Sequence, residues 1–233
     1  MNLLYTGCVY FYSRPLRSLR LDKRSDRKPY SMTSSKLKRV GLTGNIGSGK
    51  STVAQMLVER GAALIDSDAL AKEATRDPDV LQSIADALGD DLIRNGELDR
   101  PKTAERVFGD EEARETLSGI IHPWVRRKSE ERAEALERQD APPKVVLMDI
   151  PLLYENALER GLDAVVVVDA PLEVRVKRVQ ERSGLSEQEV RARDAAQMPL
   201  EKKVERADYV VDNSGDKRAL EPQLERLWSQ LTS

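Results

Sequence analysis

One cysteine, Cys8, and one histidine, His122, are all that the 233 residues hold of those two side chains. No disulfide can form within the chain, and no zinc cluster of His and Cys ligands can be assembled from it. A reducing compartment, and with it a cytoplasmic location, is the expectation. Long uncharged apolar runs are missing too, although 39% of the residues are hydrophobic, so no membrane-spanning segment is read. Excess positive charge is also absent: 38 Lys and Arg stand against 40 Asp and Glu, a formal net charge of -2. Nonspecific nucleic-acid binding leans on such an excess, so no nucleic-acid partner is expected. What remains is a soluble chain able to bury one sizeable core with an insertion, working as a monomer or small homo-oligomer.

The first 31 residues differ from the rest. "SRPLRSLRLDKRSDRKPYSM" is rich in Arg, Lys and Ser, with Asp22 and Asp26 as its only acids, and it has neither a core pattern nor a clean cleavage site. Residues 1–37 are read as a disordered tail. Its composition also suits an organellar transit peptide, while Met32, followed by "TSSKLKRVGLTG", would serve as a true start; a misplaced start or a loose tail is the preferred reading.

From residue 38 onward, strand and helix patterns alternate. Short apolar runs at Arg39–Thr43, Ala62–Asp66, Val145–Asp149, Ala164–Asp169 and Tyr209–Asp212 read as buried parallel strands, and four of them end in Asp. Amphipathic stretches at Lys50–Arg60, Leu172–Arg182 and Ala219–Leu231 lie between or after them. This pattern gives an α/β fold with helices on both faces of a five-stranded parallel sheet. Ligands in such sheets bind beyond the carboxyl ends of the strands, where those aspartates fall.

One crossover is far longer than a βαβ connection requires. Between Asp68 and Lys144, "DPDVLQSIADALG" has an N-cap aspartate and a first-turn proline, and "DEEARETLSGIIHPWVRRKSEERAEALERQ" reads as helices interrupted at Pro123. An inserted helical subdomain over about 78–140 is expected. The "ERAEALERQ" charge run is read as a solvated helix face, and no fixed-period repeat is found.

The strongest local signal is "GLTGNIGSGKST": Gly44, Gly49, Lys50 and Ser51 satisfy GxxxxGK(S/T), directly after a strand and before a helix. This is the phosphate-binding loop of P-loop NTPases. Its backbone N–H groups, from Asn45 through Thr52 with Ile46, Gly47, Ser48 and Gly49 between, would gather phosphate oxygens at a helix N-terminus. Lys50 would bridge the outer phosphates, and the Ser51 hydroxyl would ligate Mg²⁺. A nucleoside triphosphate donor follows; the acceptor does not.

"LIDSDAL" ends the second strand with Asp66 and Asp68, of which one suits a helix N-cap and one could take a proton from an attacking hydroxyl. In this topology the pair is expected beside the phosphate loop. Asp149, closing "KVVLMD", is either a metal-assisting carboxylate or a plain strand end. Arg175, Arg178 and Arg182 share one helix face, either as a solvated stripe or to neutralise charge during phosphoryl transfer. "SEQEVRARDAAQM", ending before Pro199, reads as the helix of a lid over about 183–206. His122 either caps and packs or meets a ligand; Trp124 and Trp228 are read as packing residues, and Tyr154 and Glu155 as fixing a helix after the third strand.

Two classes are set aside on motif grounds. A GTPase would need NKxD, and the chain offers "NSGD" at Asn213; an ABC-type ATPase would need LSGGQ, and "LSGII" at Leu117 stops short. Kinases of small metabolites such as shikimate or nucleosides would share loop and sheet, and only the insertion argues for a larger acceptor.

In order and spacing, "GLTGNIGSGKSTVAQML", "LIDSDALAKE", "NGELDRPKTAERVF", "IIHPWV", "DIPLLYE" and "VDNSG" resemble the dephospho-CoA kinase family. The resemblance runs from about Arg39 to Leu231. It implies ATP as phosphoryl donor, Mg²⁺, and transfer to the ribose 3′-hydroxyl of dephospho-CoA. It implies that Asp68 is the catalytic base and that Asp66, Arg100, Phe108 and His122 lie on the acceptor side. It also implies that Arg178 and Arg182 act from the lid, Arg182 in catalysis, and that Asn213 lies near the adenine. Asn45 stands where the family often has glycine, and little consequence is expected of it.

Overall fold

Valine carries the sheet. The computed structural model describes residues 37–233, and in it β1 (Lys38–Thr43) runs into α1 (Lys50–Val58), and β2 (Ala63–Asp66) into α2 (Ser67–Ala74) and α3 (Pro78–Leu88). A short hairpin, β3 (Ile93–Arg94) and β4 (Glu97–Leu98), precedes α4 (Arg100–Val107) and α5 (Glu111–Glu137). β5 (Val145–Asp149), β6 (Ala164–Asp169), α6 (Leu172–Ser183), α7 (Glu187–Ala195), α8 (Leu200–Arg206), β7 (Tyr209–Asp212) and α9 (Lys217–Thr232) follow. The expected tail lies, Leu37 apart, outside the described residues. No helix among the described residues is long and apolar enough to cross a membrane.

The sheet order is β2-β5-β1-β6-β7. β1 is central, with Val40 opposite Leu147 of β5 and Leu42 opposite Val166 of β6, both pairings parallel. The five expected strands are therefore present, but one expectation about their neighbours fails. β5 lies between β1 and β2, so the carboxylate on the strand next to the phosphate loop's own strand is Asp149, not Asp66. Sequence order does not reveal that the third run of the sheet slips between the first two.

Alternate residues of the strands, Val40, Leu42, Val145, Leu147, Val166, Val168 and Val211, form one core with Val53, Met56 and Leu57 of α1 and Leu220, Leu224, Leu227 and Leu231 of α9. The α9 leucines recur at helical spacing, so a single stripe meets the sheet. Full burial of each such side chain contributes about 1.5–3 kcal/mol.

The described residues form two compact units, Ile65–Ala135 on one hand and 37–64 with Leu136–Ser233 on the other. The first holds most of the expected insertion but begins earlier. Asp77 starts α3 as its N-cap, accepting from the Asp79 and Val80 N–H groups, with Pro78 in the first turn. Its other oxygen accepts the Trp124 indole N–H at 2.8 Å, and this bond is the main cause holding the Asp77 carboxyl below its ordinary 3.8. Asp77→Ala is expected to destabilise this unit by about 1 kcal/mol through the lost cap alone, measured by chemical denaturation. Because the folded value is depressed, the contribution of Asp77 is complete above the ordinary carboxylate value and is lost as pH falls below it. The difference from wild type should therefore shrink in acid.

Pro123 does not break its helix: α5 runs unbroken from Glu111 to Glu137. Ala113, Leu117, Ile121, Trp124 and Ala133 are buried along it, one stripe on both sides of the proline. The carbonyl that Pro123 leaves without an amide partner is that of Gly119, which is exposed and open to water. The β3–β4 hairpin was not foreseen, although its signal was present. Asn95 and Gly96 both have positive φ (53° and 76°), as a two-residue Asn-Gly turn requires.

Candidate active site: a phosphate loop and its supports

The loop between β1 and α1 is shaped by what presses on it from behind. A Cβ on Gly47 would lie 2.5 Å from the Arg175 carbonyl oxygen, and one on Gly49 would lie 2.1 Å from Asn213 Nδ2. Both residues have left-handed backbone, with φ of 77° and 88°. The glycines thus admit α6 and the loop after β7, and not only a ligand. Gly49→Ala is expected to abolish nucleotide binding while the sheet core persists, as read by calorimetry and circular dichroism.

Three of the expected phosphate-binding amides are engaged inside the protein, that of Thr52 with the Gly49 carbonyl at 3.0 Å. The Ser48 N–H donates to the Asn45 carbonyl at 3.0 Å, and the Ile46 N–H donates to Gln197 Oε1 at 2.8 Å. The amides of Gly47, Gly49, Lys50 and Ser51 make no hydrogen bond among the described residues. They lie at the start of α1, where the helix dipole favours an anion. The Lys50 ammonium rests 3.6 Å from Asp149 Oδ1, both side chains mostly shielded. Ser51 is exposed beside them, with Thr52 half-buried.

Asn45 is far from inconsequential. It is 2% exposed, and its amide donates to Asp194 Oδ1 at 2.9 Å and to the Met198 carbonyl at 3.2 Å. Asp194 also pairs with Arg175 at 2.5 Å. The guanidinium of Arg175 donates further to the carbonyls of Ala170 at 2.9 Å and Ile46 at 3.3 Å. The expected lid helix ends sooner than read, at Ala195, with Ser186 and Glu189 closing a capping box at its start. The turn after it, through Met198, is bonded onto the phosphate loop.

The three arginines of α6 have separate surroundings. Arg175 is 4% exposed and holds backbone. Arg178 donates to the carbonyls of Asn213 at 2.8 Å and Gly215 at 3.1 Å. Arg182, in the last turn of the helix, is exposed. Asn213, expected near the adenine, has its amide nitrogen directed at the Ser48 carbonyl, 2.7 Å away and buried. Its side chain supports the phosphate loop, which its place in "VDNSG" did not signal.

No α-helix follows β5 directly: residues 151–157 form successive turns, and a short 3₁₀ helix, Leu158–Gly161, comes after them. Glu155 lies in the turns, 4% exposed at its side chain, and pairs at 2.8 Å with the fully buried Lys203 of α8. Burial pushes the Lys203 ammonium below its ordinary value, opposed by Glu155 and reinforced by the charge of Lys50. No motif marks Lys203; it is one of two lysines in "LEKKVER".

The remaining candidates lie in the unit Ile65–Ala135. Asp66 is the N-cap of α2, with its Oδ1 accepting from the Asp68 N–H at 2.8 Å and the Ala69 N–H at 3.0 Å. Asp68 sits in the first helical turn, half-buried. The aspartate expected to cap is therefore Asp66. Arg100 opens α4, with burial lowering its guanidinium from the ordinary value. Phe108 follows α4 with 88% of its surface exposed, and His122 is half-buried on α5. Among the described residues no three His, Cys, Asp or Glu side chains gather as a metal cluster.

A doubly wound parallel sheet whose central strand enters GxxxxGK(S/T) and then a helix defines an α/β P-loop NTPase fold. The chain belongs to the dephospho-CoA kinase family, whose family model matches residues 38–218. A dephospho-CoA kinase of Deinococcus radiodurans is 46% identical over 207 residues, spanning 88% of this chain and 98% of the relative. Among solved structures, a protein of Thermus thermophilus superposes with a TM-score of 0.71 at 43% identity, over 84% of this chain and 98% of that one. A dephospho-CoA kinase of Campylobacter jejuni gives 0.64 at 25% identity, again over 84% and 98%.

Proposed function

We propose that this kinase transfers the γ-phosphate of ATP to the ribose 3′-hydroxyl of dephospho-CoA, yielding ADP and coenzyme A. One observation carries the reading: a complete phosphate loop with free helix-start amides and Lys50 stands within a chain that matches this family from residue 38 to 218. The amides of Gly47, Gly49, Lys50 and Ser51 hold the triphosphate, and Lys50 offsets charge that builds on the transferred group. The sites offered for Mg²⁺ are all oxygen, the Ser51 hydroxyl with Asp149 in support, a donor set that suits this hard cation. The few protein ligands suit it as well, since phosphates and water complete its shell. When bound, Mg²⁺ supplies charge neutralisation between the phosphates.

Asp68 accepts the proton of the attacking hydroxyl, while Asp66 fixes the helix start that presents it. Arg100, Phe108 and His122 lie on the acceptor side; Phe108 offers an exposed aromatic ring, and His122 a half-buried polar edge. Arg178 orders the loop after β7, and the exposed Arg182 is the arginine of α6 that reaches the transferring phosphoryl, at the start of the lid segment over 183–206, whose later part is already held against the phosphate loop. The protein works in the cytoplasm, as a monomer or small homo-oligomer, without nucleic acid.

The reading is tested by ADP release from the purified protein with ATP and Mg²⁺, with and without dephospho-CoA, beside a panel of shikimate and nucleosides. Release that depends strictly on dephospho-CoA is expected. Release that is independent of it, or faster with another acceptor, contradicts the proposal.

A further inference from the structure

A lysine ammonium with no exposure at all is costly to bury even when paired, and nothing in the phosphoryl-transfer chemistry above uses Lys203. Its surroundings lead to the phosphate loop by two short routes. In one, Lys203 Nζ lies 3.4 Å from the Pro151 carbonyl oxygen, which also accepts the hydroxyl of Thr43 at 3.0 Å, the last residue of β1 before the loop. In the other, Lys203 pairs at 2.8 Å with Glu155 Oε1, and that same oxygen accepts the Met198 N–H at 2.9 Å. Met198 ends the turn from which Asp194, Gln197 and the Met198 carbonyl hold Asn45 and Ile46. The far oxygen of Glu155, Oε2, is buried, with no hydrogen-bond partner among the described residues.

We propose that Lys203 and Glu155 are positioning residues for the nucleotide: the buried pair pins the 194–198 turn to the segment after β5, and the pinned turn sets the shape of the phosphate loop. This rests on the kinase reading above but concerns the donor site alone. Without the pair the Met198 N–H loses its anchor, Gln197 and Asp194 lose register with Asn45 and Ile46, and the loop amides no longer converge before ATP arrives. ATP must then order the loop itself, and its affinity falls.

The test measures binding of adenosine 5′-(β,γ-imido)triphosphate, a non-hydrolysable ATP analogue, by calorimetry with Mg²⁺ and no acceptor. Wild-type binding of the analogue is a control, independent of which acceptor the enzyme uses, so failure of the acceptor assignment and failure of this proposal are told apart. Removing both charges together, as Lys203→Met with Glu155→Leu, avoids stranding one of them and should leave the melting temperature close to wild type. Its Kd for the analogue should rise about tenfold, the scale of losing one or two positioning hydrogen bonds, with the Kd for dephospho-CoA unchanged. Gln197→Leu, at a half-buried position, cuts the same tie at its other end. It should give a similar rise and add little when combined with the pair replacement. If the double variant does not fold, Gln197→Leu carries the test alone. Unchanged affinity for the analogue in a folded variant, equal weakening of both ligands, or fully additive effects would overturn the proposal.

Discussion

Lys50→Ala is expected to lower kcat by about 10²–10³-fold, the scale seen when one preorganised charge donor is taken from a transition state. The KM for dephospho-CoA should change little, because Lys50 belongs to the donor loop. Its ammonium is already held 3.6 Å from Asp149, both side chains mostly shielded from water, so it needs no reorganisation as charge moves to the phosphoryl oxygens. Removal also leaves Asp149 facing the bound phosphates without its counter-charge, which should weaken ATP binding as well. Steady-state kinetics with each substrate varied at saturation of the other check these expectations. An effect confined to the dephospho-CoA KM would place Lys50 elsewhere in the reaction.

Asp68→Asn is expected to lower kcat by about 10²-fold, the low end for a positioned general base. The transition state of phosphoryl transfer is loose, so proton removal contributes less than positioning and charge. ATP affinity should be nearly unchanged. Asp66→Asn is the useful comparison: Asp66 holds the start of α2 through the Asp68 and Ala69 amides, and asparagine caps a helix about as well as aspartate. That variant should keep the fold and separate a lost charge from a lost helix start. An Asp68→Asn enzyme within a few-fold of wild type would remove the base assignment.

The sheet was legible because its strands are short apolar runs, valine-rich in β5, β6 and β7, between turn signals, and those signals depend only on neighbours in sequence. β5 and β6 were read with their observed bounds, and β1 and β2 within one residue. The order of β5 between β1 and β2 was not legible, since it is settled by which strand fills a gap in three dimensions. Pro123 misled for a similar reason: local chemistry says break, but the buried stripe through Leu117, Ile121 and Trp124 holds one continuous helix. The phosphate loop could be read because its function needs a fixed spacing of glycine, lysine and serine. Its supports could not. Asn45 meets Asp194 across 149 positions of sequence, Ile46 meets Gln197 across 151, and Glu155 pairs with Lys203 from a separate segment; each is an ordinary residue where it stands. The Asn-Gly pair of the β3–β4 hairpin is the opposite case, a strong local signal in two strands too short to show a pattern.

The central claim is that the phosphoryl group held at this loop goes to one hydroxyl of one acceptor. It is tested most directly by incubating the purified protein with ATP, Mg²⁺ and dephospho-CoA and identifying the product by mass and phosphorus NMR. The expected result is one added phosphoryl group on the ribose 3′-oxygen, identical to authentic coenzyme A and formed in equal amount with ADP. Release of inorganic phosphate with dephospho-CoA unmodified, or a phosphoryl group at any other position, would contradict it.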